Sequence, residues 1–380
     1  MKKNYLIVFL LVATELIGFG LLIPILPQIS HQFTNNGLLL GILLSSYSFA
    51  QFIAAPILGK LSDEYGRKPI LIFSKIGTIL SYIILAGANS YSVILLSRLL
   101  DGFTGGNIAV ARAYLTDITP QEKRSKAMAI IGVAFGTGFI FGPAIGSICY
   151  SLSNNFKIAG IVGASFSALS LLLTTSLLKE TENKTIKNKT SILKNLKKLS
   201  FSSLNLLGLS LIGMMLFSAF ESSFSIFTEF KFNFTSKQNS ILFLIVGIAA
   251  FFIQGSFTKF SIKSIKKAIF IAFLCIGTSL ILSSINNSLI LSLSPLIFLI
   301  FGIAILNTHI PAELANQSEN KGFILGIYES INSIARILGP LLFLSLLYNS
   351  IDKMYLILGI TALVSMVLSQ IIFFSTKHSR

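Results

Sequence analysis

Among the ionisable residues inside long apolar runs of this sequence are Glu15, Arg98, Asp101, Arg112, Glu221, Glu329 and Arg336. A charge at the centre of a lipid bilayer costs about 2.5 to 3.5 kcal/mol on insertion scales, so residues of this kind face a cavity or a partner. Glu15 lies in TELIGFGLLIPILPQI, residues 14–29, roughly three turns into its run at about 3.6 residues per turn. An isolated carboxyl at that depth changes between its neutral and charged forms with the state of the cavity around it, which is what a proton carrier requires. The plainer alternative is a carboxylate permanently paired with an arginine of the fourth run. In SRLLDGFTGGNIAVARAYLTD, residues 97–117, Arg98, Asp101 and Arg112 fall within about 60° of one another on a helical wheel and share one face. They either couple proton movement to another event, or Arg98 and Asp101 form a structural ion pair.

In the C-terminal part, Glu221 is the candidate for a second proton-carrying or cation-recognising carboxylate. Phe217, Phe220, Phe224 and Phe227 repeat around it at three- and four-residue spacing, a stripe that reads as packing or lipid-facing surface sooner than as a drug pocket. Glu329 and Arg336 are seven apart, two turns on one face; they pair through an intermediate group or belong to separate sites. With Arg112 they are the candidates for lining a cavity. Glu229 and Glu313 lie near helix ends. His31, His309 and His378 are scattered, and Cys149 and Cys275 sit in separate apolar stretches without metal-ligand spacing, so neither a metal site, a cofactor nor a disulfide is expected. No HExxH, no GxxxxGK[ST] and no nucleophile–base constellation is present, which speaks against an enzyme and against an ATP-driven pump.

Two glycine-bearing segments shape the chain. In GKLSDEYGRKPIL, residues 59–71, read as a short loop after the second run, Gly59 permits close backbone approach. Asp63 can accept hydrogen bonds from a neighbouring helix N-terminus, and Arg67 and Lys68 mark the cytoplasmic side. In GTGFIFGPAIGS, residues 136–147, Gly138, Gly142 and Gly146 recur every four residues. They open a groove on one helix face, and Pro143 removes a mid-helix hydrogen bond. Spacing alone is equally that of generic small-residue packing.

These residues need a membrane-spanning scaffold. The chain has 380 residues, 53% hydrophobic and 12% charged, with a mean hydropathy of +0.81; a soluble protein has about 25% charged residues. Apolar runs are expected at 5–27, 37–58, 70–88, 91–116, 128–150, 157–178, 203–230, 238–258, 266–284, 288–313, 322–347 and 353–375. Each is close to the roughly 20 residues that cross a bilayer, which predicts an all-α polytopic protein of twelve spans. The first run contains Glu15 and lacks a small-residue cleavage site, so it reads as a retained helix and not a leader.

With the N-terminus inside, the inward segments hold 23 of the 30 lysines and arginines, Lys60, Arg67, Lys68 and Lys75 among them, and the outward edges only Lys157, Lys231, Lys237 and Lys353. That asymmetry predicts cytoplasmic termini and an even number of spans. It also accounts for the net charge of +16 without nucleic acid.

A repeat at an offset of about 197 residues pairs Glu122 and Pro143 with Glu319 and Pro340, and sets Gly255 with its basic loop against Gly59, as in alternating-access carriers. The expected organisation is a six-helix half at 1–178, a cytoplasmic linker at 179–202 and a second six-helix half at 203–380.

Residues 59–68 resemble G-x-L-x-D-x-x-G-R-K, the most specific signature of the major facilitator superfamily, with Glu64 where a basic residue is usual. Arg98 to Gly102 resembles that superfamily's R-x-x-Q-G motif, with Asp101 in place of glutamine, and residues 138–147 its antiporter motif G-x-x-x-G-P-x-x-G-G, with Ser147 for the last glycine. The acidic residue of the first span, the Gly-x-Gly and the Pro-x-x-Pro after it, the stretch from Arg98 to Tyr150 and the GPLLF run from Gly339 are similar to the tetracycline-efflux branch of its drug–proton antiporters.

The resemblance implies an inner-membrane, proton-coupled exporter of a small amphipathic compound, monomeric and surrounded by lipid. In it Gly59, Asp63, Gly66 and Arg67 form a conformational latch, Arg98 is tied to proton coupling, and protons load Glu15 and in addition Asp101 or Glu221. The rival expectations are a metabolite symporter or facilitator of the same superfamily, and a transport-inactive membrane receptor or assembly partner.

Overall fold

The computed structural model describes residues 2–22, 25, 37–153, 155–181, 199–347 and 351–378. His31 and most of the expected linker lie outside them. The first part of the chain forms α1 (Lys2–Leu22), α2 (Gly37–Tyr65), α3 (Arg67–Ala86), α4 (Tyr91–Thr104), α5 (Asn107–Asp117), α6 (Arg124–Ser153) and α7 (Phe156–Leu177). The second forms α8 (Phe201–Phe232), α9 (Ser236–Ser256), α10 (Ile265–Ile285), α11 (Leu289–Leu293), α12 (Leu296–Asn316), α13 (Lys321–Leu347) and α14 (Ile351–His378). The pairs α4/α5 and α11/α12 are single runs with brief interruptions, so the helices among the described residues fall into twelve runs, nine of them long and apolar enough to cross a membrane. Outward faces carry exposed side chains such as Leu172, Phe252 and Ile357, a surface suited to lipid and not to water.

Packing repeats between the halves. In the first, α1 lies on α6 and α3 on α7; in the second, α8 lies on α13 and α10 on α14. Across the interface α2 packs on α13 and α6 on α9. The apolar interior divides along the same line, with one cluster from residues 206–362 apart from Ala113 and Ala129, and two from residues 7–178 apart from Ala312.

The small residues of α6 explain one of these contacts. A methyl group at Gly138 would lie 2.6 Å from Leu16 Cβ, one at Gly142 2.8 Å from the Gly20 backbone, and one at Gly146 would overlap the Leu21 carbonyl. The groove is therefore filled by α1. Pro340 repeats the arrangement, since Gly339 beside it meets the Met215 carbonyl of α8.

Several expectations are corrected. Residues 59–71 do not form a loop: α2 runs through Tyr65 and α3 starts at Arg67, so Gly66 alone makes the turn. Its φ of 101° is open to glycine and strained for other residues. The fourth run is interrupted at Gly105 and Gly106, whose ψ angles of −4° and 0° depart from the helical value of about −42° and change the direction of the side chains beyond them. Lys75 is fully buried in α3 and does not belong with the inward-facing charges. Gly255 has nothing within 4 Å of an added methyl, unlike Gly59, so that element of the repeat is not one of close packing. Of the readings of the phenylalanine stripe, packing holds and lipid-facing does not for Phe220, Phe224 and Phe227, which are buried, Phe227 stacking on Tyr355 with ring centroids 4.4 Å apart.

Gly146→Val should lower the thermal midpoint of the detergent-solubilised protein by several degrees because α1 and α6 must separate, whereas Gly255→Ala, which meets open space, should leave it unchanged; a scanning fluorimetry melt distinguishes them.

Candidate functional site

Three clusters of charge organise the bundle. The first lies within the N-terminal half. The Glu15 carboxylate of α1 receives Lys75 Nζ at 2.6 Å and Asn107 Nδ2 at 3.0 Å, and the same ammonium donates to the Leu11 carbonyl at 3.1 Å. Both charged side chains are buried, so each is stable in a low-dielectric interior only with the other present. Glu15 is thus paired, and its partner is a lysine of the third run, not an arginine of the fourth. Neither Lys75 nor Asn107 is marked in the sequence: Lys75 is the third basic residue of RKPILIFSK and reads there as one more inward charge. The burial of Asn107 follows from the turn at Gly105 and Gly106.

On α4, Arg98 Nη1 donates to Asp101 Oδ2 at 3.0 Å, its Nη2 donates to Ser97 Oγ at 3.3 Å, and the guanidinium carbon lies over the Tyr82 ring at 5.5 Å. This is the local ion pair that the spacing allowed. Arg112 does not share their site, because the glycine interruption turns it toward the other half, where it meets Glu329 of α13.

The second cluster spans the halves. Glu329 lies 3.6 Å from Arg112 Nε and 3.6 Å from Arg336 Nη2. Glu329 and Arg336 therefore pair directly. Arg336 also donates to Gln51 Oε1 of α2 at 2.7 Å, Ser333 donates to the same oxygen at 2.9 Å, and Gln51 Nε2 donates to the Gly105 carbonyl at 3.0 Å. Gln51, absent from the sequence candidates, ties the interruption in the fourth run to α13. Its only sequence signal is a polar residue in a run rich in serine, tyrosine and phenylalanine. Glu221 of α8 is half-buried and makes no ion pair among the described residues.

The third cluster closes one end of the interface. Asp63 accepts the backbone N–H groups of Gly322 at 2.9 Å and Phe323 at 2.8 Å, at the start of α13, where the helix dipole and unpaired N–H groups favour an anion. Arg67 holds Asp63 at 2.7 Å, Asp117 at 2.8 Å and Ser62 Oγ at 2.7 Å, and Lys321 reaches Asp117 at 2.9 Å. The fork of guanidinium donors suits this convergence of acceptors. Gly59 and Gly326 allow the approach, since added methyls would strike the Gly322 carbonyl and, at 2.5 Å, the Ala55 carbonyl. Glu180 accepts the N–H groups of Arg67 and Lys68 at 2.9 and 3.1 Å, capping α3 where Gly66 exposes them. Asp117, Lys321 and Glu180 were not foreseen, because their partners come from distant parts of the chain.

Among the described residues no group of three or more His, Cys, Asp or Glu is placed to hold a metal ion. His309 is structural, its Nε2 accepting the Ile262 N–H at 3.1 Å.

The family described as Major Facilitator Superfamily matches residues 8–340. The chain belongs to it. This superfamily protein is 27% identical over 374 residues to tetracycline resistance protein class E of Escherichia coli, covering 92% of this chain and 89% of that one. It is 28% identical over 384 residues to multidrug resistance protein 2 of Bacillus subtilis, covering 97% and 95%. The crystal structure of the human organic anion transporter MFSD10 (TETRAN) superposes with a TM-score of 0.85 at 25% identity, over 97% of this chain and 99% of that one. The protein is a multi-pass membrane transporter with drug-efflux homologues.

Lys75→Met leaves the Glu15 carboxylate buried without its counter-charge and should cost about 3 to 5 kcal/mol of stability. Adding Glu15→Gln to the same chain should restore most of it. Thermal melts of the two single variants and the double variant measure the coupling.

Proposed function

We propose that the protein exports a small amphipathic compound in exchange for protons, by alternating access of the halves at 1–178 and 203–380 about a central cavity. The linker at 179–202 and both termini face the cytoplasm across the inner membrane. The observation that carries the reading is the buried trio of Glu15, Lys75 and Asn107. A proton arriving on Glu15 cancels the charge that holds Lys75 and leaves the ammonium with the Leu11 carbonyl alone. An uncompensated buried charge costs about 3 to 5 kcal/mol, and turning a two-state equilibrium from 1:99 to 99:1 takes about 5.5 kcal/mol. One proton at this position is therefore of the right size to shift the carrier from one conformation toward the other. Asp101 and Glu221 are the further candidates for proton binding, with Arg98 as the counter-charge of Asp101.

The route from proton to rocking is short. Leu16, next to Glu15, lies against Gly138 of α6, and α6 crosses to α9 and α12 in the other half. The segment with Gly138, Gly142, Pro143 and Gly146 thus joins the proton-binding helix to the interface, which supports its role as an antiport element. Asp63, Arg67, Gly59 and Gly66 serve as the latch that keeps the cytoplasmic end shut. The names of the relatives, tetracycline and multidrug resistance proteins, favour export over uptake of a metabolite.

In everted vesicles with an acid interior maintained by respiration, an exported compound should release the quenching of a pH-reporting dye, and Glu15→Gln should abolish the release. Transport that persists in Glu15→Gln and ignores the pH gradient would instead identify a facilitator; correctly inserted protein that moves no compound would favour a receptor or assembly role. For the latch, Asp63→Asn should speed maleimide labelling of Ser330→Cys several-fold, in a background with Cys149 and Cys275 replaced by serine. Ser330 is buried where its hydroxyl donates to the Phe52 carbonyl across the interface, so an unchanged labelling rate would remove Asp63 from the closing contact.

A further inference from the structure

In the interface between the halves two guanidinium groups share one carboxylate. Arg112 of α5 and Arg336 of α13 each stand 3.6 Å from Glu329, beyond the roughly 2.7 to 3.2 Å of a hydrogen bond. Arg112 is 2% and Glu329 1% exposed, and Arg112 Nε and Glu329 Oε2 have no hydrogen-bond partner. Unsatisfied charged donors of this kind are costly inside a protein. Arg112 otherwise reaches the Asn307 carbonyl at 3.4 Å and lies over the Tyr328 ring at 5.2 Å, and neither contact supplies a counter-charge. Glu221, the other carboxylate within electrostatic reach of Arg336, forms no ion pair among the described residues. The direct pairs thus set two cations against one anion, and Arg112 Nε makes no hydrogen bond although Glu329 Oε2 stands 3.6 Å away.

We propose that Arg112 and Arg336 form the recognition point for an acidic group, a carboxylate or sulfonate, on an amphipathic compound, and that Glu329 occupies its place in the conformation described here. The inference rests on reading the protein as a carrier of a small amphipathic compound and adds the sign of that compound's charge. An incoming acidic group makes the bidentate contacts for which a guanidinium is shaped and displaces Glu329 from Arg112. That severs an ion pair joining α5 to α13 and loosens the halves beside the bound compound.

The test is equilibrium binding to purified full-length protein in lipid nanodiscs, with 2-naphthylacetate, its uncharged amide and 2-naphthylethylammonium as probes of matched shape. The naphthylacetate should bind about tenfold or more tighter than the amide, with the ammonium weakest. Arg112→Gln and Arg336→Gln should each erase that preference. Glu329→Gln should tighten binding of the naphthylacetate several-fold, because an internal competitor has been removed; a merely structural ion pair predicts the opposite sign. Should an arginine variant fail to fold, the direction of the Glu329→Gln effect decides alone. Equal binding of the three probes, preference for the ammonium, no binding to the wild-type protein, or weaker naphthylacetate binding in a folded Glu329→Gln variant would each overturn the inference. Binding is read without a proton gradient, so these outcomes leave proton-coupled export untouched, and a failed vesicle experiment leaves them untouched in turn.

Discussion

A charge placed in a lipid-embedded bundle has to find its counter-charge on another helix or close by on its own, because neither water nor lipid can take the place of one. Glu15 is answered by Lys75 from α3, Glu329 by arginines of α5 and α13, and Asp63 by Arg67 and the first N–H groups of α13. Each answer fixes the distance and rotation of the helices that supply it. The apolar surfaces exert no comparable preference, since lipid tails solvate leucine as well as other leucines do.

Glycine makes these pairings reachable. The contacts of α1 with α6 and of α2 with α13 leave no room for a Cβ at Gly20, Gly142, Gly59 and Gly322, so backbone meets backbone there. Small residues thus set how near the helices come, and charges set which faces meet. The interruption at Gly105 and Gly106 does a third thing: it sends Asn107 back to Glu15 in its own half while Arg112 crosses to the other.

Much of this architecture is legible in the chain. The spans are written in apolar runs of bilayer length, and the latch motif could be read as an anion facing a helix start, since Asp63 follows Gly59 by one helical turn. The ion pair of Arg98 and Asp101 follows from three-residue spacing. Contacts between distant segments are not legible in the same way. Lys75 looks like one more inward lysine until α1 is seen beside it, and Gln51 carries no local mark of bonding to Arg336. The direction of Arg112 depends on two backbone angles at glycine, a residue whose conformation its neighbours in sequence hardly restrict. Fold and closing contacts were thus accessible from pattern, and the wiring of the central site was not.

The two flanks of the interface are built differently. On one, α2 and α13 are joined by Asp63 on two N–H groups, with Arg67, Asp117 and Lys321 behind it. On the other, α6 meets α9 mainly through van der Waals contact at Gly136 and Gly247, with Arg124 donating to Asn316 of α12 at 2.6 Å. Separation on the first flank breaks ionic bonds one after another, while on the second it gives up mostly dispersion. The ionic bonds between the halves are therefore gathered mostly on one flank, where Asp63, Arg67, Asp117 and Lys321 meet, and the other flank is held mainly by shape.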